Sequence, residues 1–161
     1  MRIRTYQEKD HQALRNITAR CFRGVAIDHN IERMFGPVAG KDWQWRKKRD
    51  MDADIDANAK GIFVAEEDGV AIGYVSTFVD REAKMGRIVN FCVLPGHQGK
   101  GIGRKLAEEA LAYFRREGLE IAKIETLEQN EVGKAFYPSL GFKEVARQIH
   151  FAMRLESPKK K

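Results

Sequence analysis

Leu94-Pro95-Gly96-His97-Gln98-Gly99-Lys100-Gly101-Ile102-Gly103-Arg104-Lys105 stands between an apolar strand pattern, Arg87 to Leu94, and a helical pattern, Gly103 to Glu117. Pro95 stops the strand because it has no N–H to give a ladder. Leu106, Ala110 and Phe114 fall on one stripe of the helix, and Gly118 closes it. Gly99, Gly101 and Gly103 let the backbone turn tightly and approach a ligand closely. The helix behind them offers unpaired N–H groups and the positive end of its dipole. Such a loop suits a phosphate or pyrophosphate, and Lys100, Arg104 and Lys105 add positive charge. It is not a Walker A loop, because Lys100 is followed by Gly101 rather than Ser or Thr. It is not a dinucleotide fingerprint either. Counting from Gly99 or from Gly101, the third glycine position holds Arg104 or Leu106.

Upstream, Ile62–Ala65 and Val70 to about Val79 read as two strands joined by a turn at Glu66–Gly69, with Asp68-Gly69 the turn signal. Arg2–Arg4 reads as a first strand. Thr5 and Glu8 form the pattern of a capping box before a helix carrying Leu14, Ile17, Thr18 and Cys21. Between Val25 and Lys60, Gly36-Pro37 and Gly40 break the pattern, and Asp42 caps a helix running to about Ala59. That helix pairs Arg46 with Asp50 and Lys48 with Asp52 at i,i+4, as a solvated, salt-bridged face. Downstream come a strand over Ile121–Thr126, a short helix over Glu131–Phe136, and a last strand pair near Lys143–Val145 and Gln148–Leu155. The order implies an α/β (α+β) chain with a central, mostly antiparallel sheet and helices on both faces.

The 161 residues are one domain's worth of chain, with 43% hydrophobic and 32% charged residues, which excludes intrinsic disorder. No apolar run approaches the ~20 residues of a membrane span, and the N-terminus lacks a signal-peptide pattern. The two cysteines, Cys21 and Cys92, show no metal-ligand spacing and no disulfide framework. A cytoplasmic protein without a metal or a membrane partner is expected. The net charge of +6 favours an anionic ligand. Nucleic acid is not the expected partner, because the chain lacks a basic stripe interleaved with aromatics.

Gln98-x-x-Gly101-x-Gly103 resembles the acetyl-CoA loop of the GNAT acetyltransferases, whose pattern is [QR]-x-x-G-x-[GA]. A second match follows in Asn130, Ala135-Phe136-Tyr137 and Leu140-Gly141-Phe142. The resemblance implies about seven strands and about four helices in one domain over residues 1–156, with a basic tail at 157–161. It implies a sheet splayed between its fourth and fifth strands with acetyl-CoA in the cleft, and a bulge near the end of Ile88–Leu94.

By the same resemblance, backbone groups of Phe91, Cys92 and Val93 pair with the pantetheine arm, and a backbone N–H near Val93 or Leu94 polarises the thioester. The N–H groups of Gln98, Gly99, Lys100, Gly101, Ile102, Gly103 and Arg104 hold the pyrophosphate. Asn130 bonds the cofactor's arm, and Tyr137 protonates the departing thiolate. Gly133 stands where the family usually has Ala, which loosens the short helix. Pro138 is expected to end that helix at Tyr137.

The implied activity is transfer of acetyl from acetyl-CoA to a primary amine on a small molecule or protein. An inert acyl-CoA-binding sensor is the alternative, because Arg87–Phe91 contains no carboxylate to act as base. Glu125 is the candidate base, with Asp80, Glu82, His150 and His29 behind it. Cys92 reads as a small buried hydrophobe rather than a nucleophile, and His97 as a loop residue. Trp43 and Trp45 could line the acceptor side or pack a core or dimer face. A homodimer is compatible with such a fold.

Overall fold

A computed structural model describes residues 1–156; the basic tail assigned to 157–161 lies outside the described residues. The strands are β1 (Arg2–Thr5), β2 (Phe63–Glu67), β3 (Val70–Asp80), β4 (Met85–Val93) and β5 (Ile121–Ile124), and the helices are α1 (His11–Cys21), α2 (Ile27–Phe35), α3 (Trp43–Asn58), α4 (Ile102–Arg116) and α5 (Glu131–Ser139). The five strands form one sheet in the order β1-β2-β3-β4-β5. The first three pairings are antiparallel. β4 and β5 run parallel, joined by the α4 crossover.

Each face of the sheet buries one apolar layer. Val75 and Ile88 meet Leu106 and Phe114 of α4 on one side. Val64 and Tyr74 meet Leu14 of α1 and Met51 of α3 on the other. Full burial of a residue such as Leu106 stabilises by roughly 1.5–3 kcal/mol. The Tyr74 hydroxyl is satisfied in the core by Thr18 Oγ1 at 2.7 Å.

Several local expectations are corrected. Thr5 ends β1 opposite Phe63, so it cannot cap. The capping box uses Gln7 and Asp10 instead, with the Gln7 N–H on Asp10 Oδ2 at 2.9 Å. Asp10 also takes both arms of the Arg4 guanidinium, which holds its carboxyl below the usual range. α3 begins where expected, with Asp42 accepting from the Trp45 N–H at 2.7 Å. Its charges do not pair as the i,i+4 rule suggested. Arg46 reaches Asp28 of α2, and Asp52 is held by His11 and Arg15 of α1, because neighbouring helices bring partners closer. The turn after β2 narrows to Asp68-Gly69, both at positive φ.

Among the described residues the strands number five rather than seven, because no strand lies within 143–156. That stretch contains no Gly, Pro, Asn or Asp to make a hairpin turn. The α-helices among the described residues number five rather than four, α2 being the unanticipated one. α5 runs through Pro138 to Ser139. Proline is tolerated there because the helical bond it forgoes lies in the last turn.

Candidate active site

β5 pairs with β4 only from Met85↔Ile121 to Ile88↔Ile124. β4 continues alone through Val89–Val93, so the sheet opens between these two strands. The bulge lies mid-strand rather than at the end: Val75↔Phe91 is followed by Thr77↔Ile88, which gives β4 one extra residue opposite Ser76. Ser76 Oγ accepts the displaced Asn90 N–H at 3.0 Å. Past the bulge, the Leu94 N–H donates to Ile72 C=O at 2.8 Å, toward β3. Strand alternation then aims the backbone groups of Cys92 at β3 and those of Phe91 and Val93 at the open edge.

The glycine loop leads directly off that edge. Gln98 Nε2 donates to the Val93 C=O at 2.9 Å, which ties the loop to the strand end. Gly96, Gly99 and Gly101 have φ of +89°, +76° and +77°, where a side chain would be strained. The first helical bond of α4 runs from the Lys105 N–H to the Gly101 C=O, so Ile102, Gly103 and Arg104 have no N–H partner inside the helix. The Ile102 side chain is buried in the core, whereas Gln98, Gly99, Lys100 and Arg104 are exposed. The Arg104 guanidinium reaches Ser139 at the end of α5.

Across the opening stands an aromatic cluster of Phe91, Phe136, Tyr137 and Phe142, with successive ring centroids 5.6–6.5 Å apart. Gly103 packs on it, because a Cβ there would lie 3.5 Å from Phe136 and 3.7 Å from Phe91. Burial pushes the Tyr137 phenol up to about 12, with the Cys92 thiol adding to the effect. Asn130 caps α5 by accepting the Gly133 N–H at 3.1 Å, and its Nδ2 donates to Thr126 Oγ1 at 2.9 Å. Gly133 also stands in a close approach. A Cβ would lie 2.7 Å from Thr126 Oγ1, 2.8 Å from Asn130 Nδ2 and 3.1 Å from Tyr137 Cε2. Gly133→Ala is therefore expected to push Tyr137 aside and lower turnover about tenfold. Near-unchanged thermal stability would locate the effect in aim rather than folding.

Glu125 follows β5, exposed, with its carboxylate 3.7 Å from Arg87. Asp80 caps the Ala83 N–H at 2.9 Å, opposite Met85 and so at the far end of β4 from the loop. Glu82 shares that turn, and His150 is exposed near the C-terminus. His29 Nδ1 accepts the Gly24 N–H at 2.7 Å, and its ring stacks on the buried Trp43. Trp45 is half-exposed and lies under the Arg49 guanidinium. The His97 Nδ1 lies 3.2 Å from Glu67 Oε2 and is buried without a hydrogen-bond partner among the described residues. Burial raises the Cys92 thiol well above its usual range, so it stays protonated and unsuited to attack.

The sequence reading missed a buried polar group behind the bulge. Asp54 of α3 accepts from Ser76 Oγ at 2.5 Å and Asn90 Nδ2 at 2.7 Å, while Lys47 Nζ donates to Asn90 Oδ1 at 2.8 Å and to Asp50 at 2.7 Å. Burial raises the Asp54 carboxyl above its ordinary range. The signal was present. Trp43, Lys47, Met51, Asp54 and Asn58 share one helical stripe, and both apolar members are buried.

With this geometry in place, comparison with known proteins is informative. The Acetyltransferase (GNAT) family matches residues 12–142, and the chain belongs to that family. An uncharacterized N-acetyltransferase of Archaeoglobus fulgidus is 32% identical over 108 residues, covering 62% of this chain and 74% of that protein. The mycothiol acetyltransferase of Streptomyces griseus is 31% identical over 133 residues, covering 83% of this chain. The chain spans only 40% of that relative's length. The crystal structure of the paia N-acetyltransferase from Thermoplasma acidophilum in complex with coenzyme A shares the fold, with a TM-score of 0.70 and 22% identity over 88% of this chain and 89% of that one. Among the described residues, no helix is long and apolar enough to cross a membrane.

Proposed function

We propose that residues 1–156 act as one acetyl-CoA-dependent N-acetyltransferase domain, moving acetyl to a primary amine by direct attack on the thioester. The observation that carries this reading is the continuity of three features. An unpaired strand edge at Phe91–Val93, a loop of positive-φ glycines and the free N–H groups opening α4 follow one another without a gap. Acetyl-CoA has matching parts: an amide-bearing arm for the edge and a pyrophosphate for the loop. The Thermoplasma relative's complex with coenzyme A supports the assignment.

In this reading Phe91 and Val93 pair with the pantetheine arm, and Cys92 shapes the edge from its β3 side. The Leu94 N–H is committed to Ile72, which leaves the Val93 N–H to polarise the thioester carbonyl. Gln98, Gly99, Lys100, Gly101, Ile102, Gly103 and Arg104 surround the pyrophosphate. The second N–H of the Asn130 amide bonds the arm. An amine of pKa ~10 must lose its proton before attack, and Glu125 takes it through water. As the C–N bond forms and the C–S bond breaks, the Tyr137 O–H protonates the CoA thiolate. The acceptor is an amine on a small molecule or a protein. The protein works in the cytoplasm and needs no metal.

The deciding experiment is a thermal-shift titration with acetyl-CoA, with CoA and ATP as controls. Saturation at about 100 times Kd stabilises by ~2.7 kcal/mol, worth roughly 5–10 °C for a chain of this size. Acetyl-CoA and CoA should give this shift and ATP none. No shift at millimolar acetyl-CoA would sink the assignment. The absence of a carboxylate on the open β4 edge favours a second reading, an acyl-CoA sensor. Binding without CoA release across an amine panel would support that reading.

A further inference from the structure

Two thiols that the proposed reaction leaves unused meet beside the cofactor edge. Cys21 is the last residue of α1, and Cys92 lies in β4 between Phe91 and Val93. Three observations bring them together. Cys92 stands directly opposite Tyr74 in the β3–β4 ladder. The Tyr74 hydroxyl bonds Thr18 Oγ1 at 2.7 Å, and Cys21 follows Thr18 by one helical turn on the same face. Both cysteines pack against the apolar layer of Leu14, Met51 and Tyr74, where their side chains hydrogen-bond to each other. Both residues are half-buried rather than sealed in the core. The two thiols differ in character. The Cys92 S–H donates to the Cys21 sulfur, which with the Arg20 charge holds Cys21 below its usual range, while burial holds Cys92 above it. Cys21 is therefore the nucleophile of the pair.

We infer that Cys21 and Cys92 are an oxidation site, closing to an intrachain disulfide when a hydroperoxide reaches them. The Cys21 thiolate attacks the hydroperoxide. An S–O bond forms as the O–O bond breaks, and the other oxygen departs as hydroxide or alkoxide. Loss of the Cys21 thiolate removes one of the influences that kept Cys92 protonated. The Cys92 sulfur then bonds to the sulfur of the Cys21 sulfenic acid. The S–O bond breaks, and the hydroxyl leaves with the Cys92 proton as water. The thiol pair gives up two electrons and the hydroperoxide takes them. A dithiol reductant reverses the change. The consequence falls on the cofactor edge. A disulfide needs its sulfurs about 2.05 Å apart, closer than thiols in hydrogen-bond contact, so Cys92 is drawn toward α1. β4 yields there, because from Val89 onward it pairs only with β3. Phe91 and Val93, its immediate neighbours, then lose their aim at the cleft. This consequence, though not the disulfide itself, rests on the acetyl-CoA reading of that edge.

The test treats the full chain with hydrogen peroxide, clears the excess with catalase, blocks free thiols by alkylation and digests with trypsin. The peptides holding Cys21 and Cys92 should appear joined, with a mass two hydrogens below their sum, and should separate on dithiothreitol. Acetyl-CoA should bind the oxidised chain about tenfold more weakly, with affinity restored by dithiothreitol. Cys21→Ser and Cys21→Ala should bind acetyl-CoA equally before and after peroxide, which also controls for methionine oxidation. Two free thiols after peroxide, a sulfinic acid at Cys21 without a link, or a link only between chains would each overturn the proposal. A disulfide that leaves affinity unchanged would overturn its effect on the edge. A reduced parent that fails to bind acetyl-CoA would instead sink the functional reading, and the joined peptides would still decide the disulfide.

Discussion

Tyr137→Phe is expected to lower kcat on the order of 100-fold while changing acetyl-CoA affinity by no more than about twofold. The hydroxyl makes no hydrogen bond among the described residues, so its removal leaves no orphaned partner. The ring keeps its packing on Phe91, Phe136 and Phe142. Steady-state kinetics separate the two effects, because losing a contact made only as the thiolate departs lowers kcat without raising KM. An unchanged kcat would remove Tyr137 from the mechanism. The pH behaviour has a definite sign. Folded Tyr137 titrates near about 12 against an ordinary 10, so it keeps its proton throughout the working range. Its contribution to stability is complete below pH 10 and is lost as pH rises toward 12. Denaturation of the Phe variant should show a shallower decline over that interval.

Asp54→Ala and Asp54→Asn should diverge sharply. The alanine leaves Ser76 Oγ and Asn90 Nδ2 without their acceptor in a buried site, at a cost of about 2–4 kcal/mol. That is a Tm lower by roughly 5–15 °C. Freed of its anchor, Asn90 no longer fixes the bulge, so acetyl-CoA should also bind more weakly. The asparagine keeps an oxygen for both donors and removes a buried charge, so at neutral pH it should match or exceed the parent. Because burial raises the Asp54 carboxyl, the stability it contributes is present below its ordinary value near 3.8 and is lost as pH rises through the folded value. Any advantage of the asparagine should therefore shrink on acidification. Equal destabilisation by both substitutions would show that Asp54 matters as a charge rather than as an acceptor.

How much was legible in the sequence follows from the kind of physics each feature uses. The glycine loop and α4 were readable because backbone conformation and helix-end chemistry depend on a few adjacent residues. The β2–β3 hairpin was readable because Asp68-Gly69 has few alternatives. Asp54 was not, because a carboxylate in a run of charges looks solvated until Ser76 and Asn90 arrive from other strands. Gly133 looked like a defect because its close approach to Thr126 and Tyr137 exists only in three dimensions. Residues 143–155 had a strand's alternation but no local feature naming a partner strand, and among the described residues they join no ladder.

The extra residue at Val89–Asn90 works as a parity switch. Before it, even-numbered Gly86 and Ile88 face α4; after it, odd-numbered Phe91 and Val93 do, and Cys92 turns to the layer of α1 and α3. A chain one residue shorter here could still form β4 along its whole length. Phe91, Cys92 and Val93 would keep their partners and their layers, because Val75↔Phe91 and Thr77↔Ile88 would then enclose one residue on each strand; what would go is the second residue opposite Ser76 and the displaced backbone that Ser76 Oγ holds. The damaging case is a strand of unchanged length paired without the bulge: Phe91 would turn to the layer of α1 and α3 and Cys92 to α4, as any one-residue slip of register exchanges the two faces of a strand.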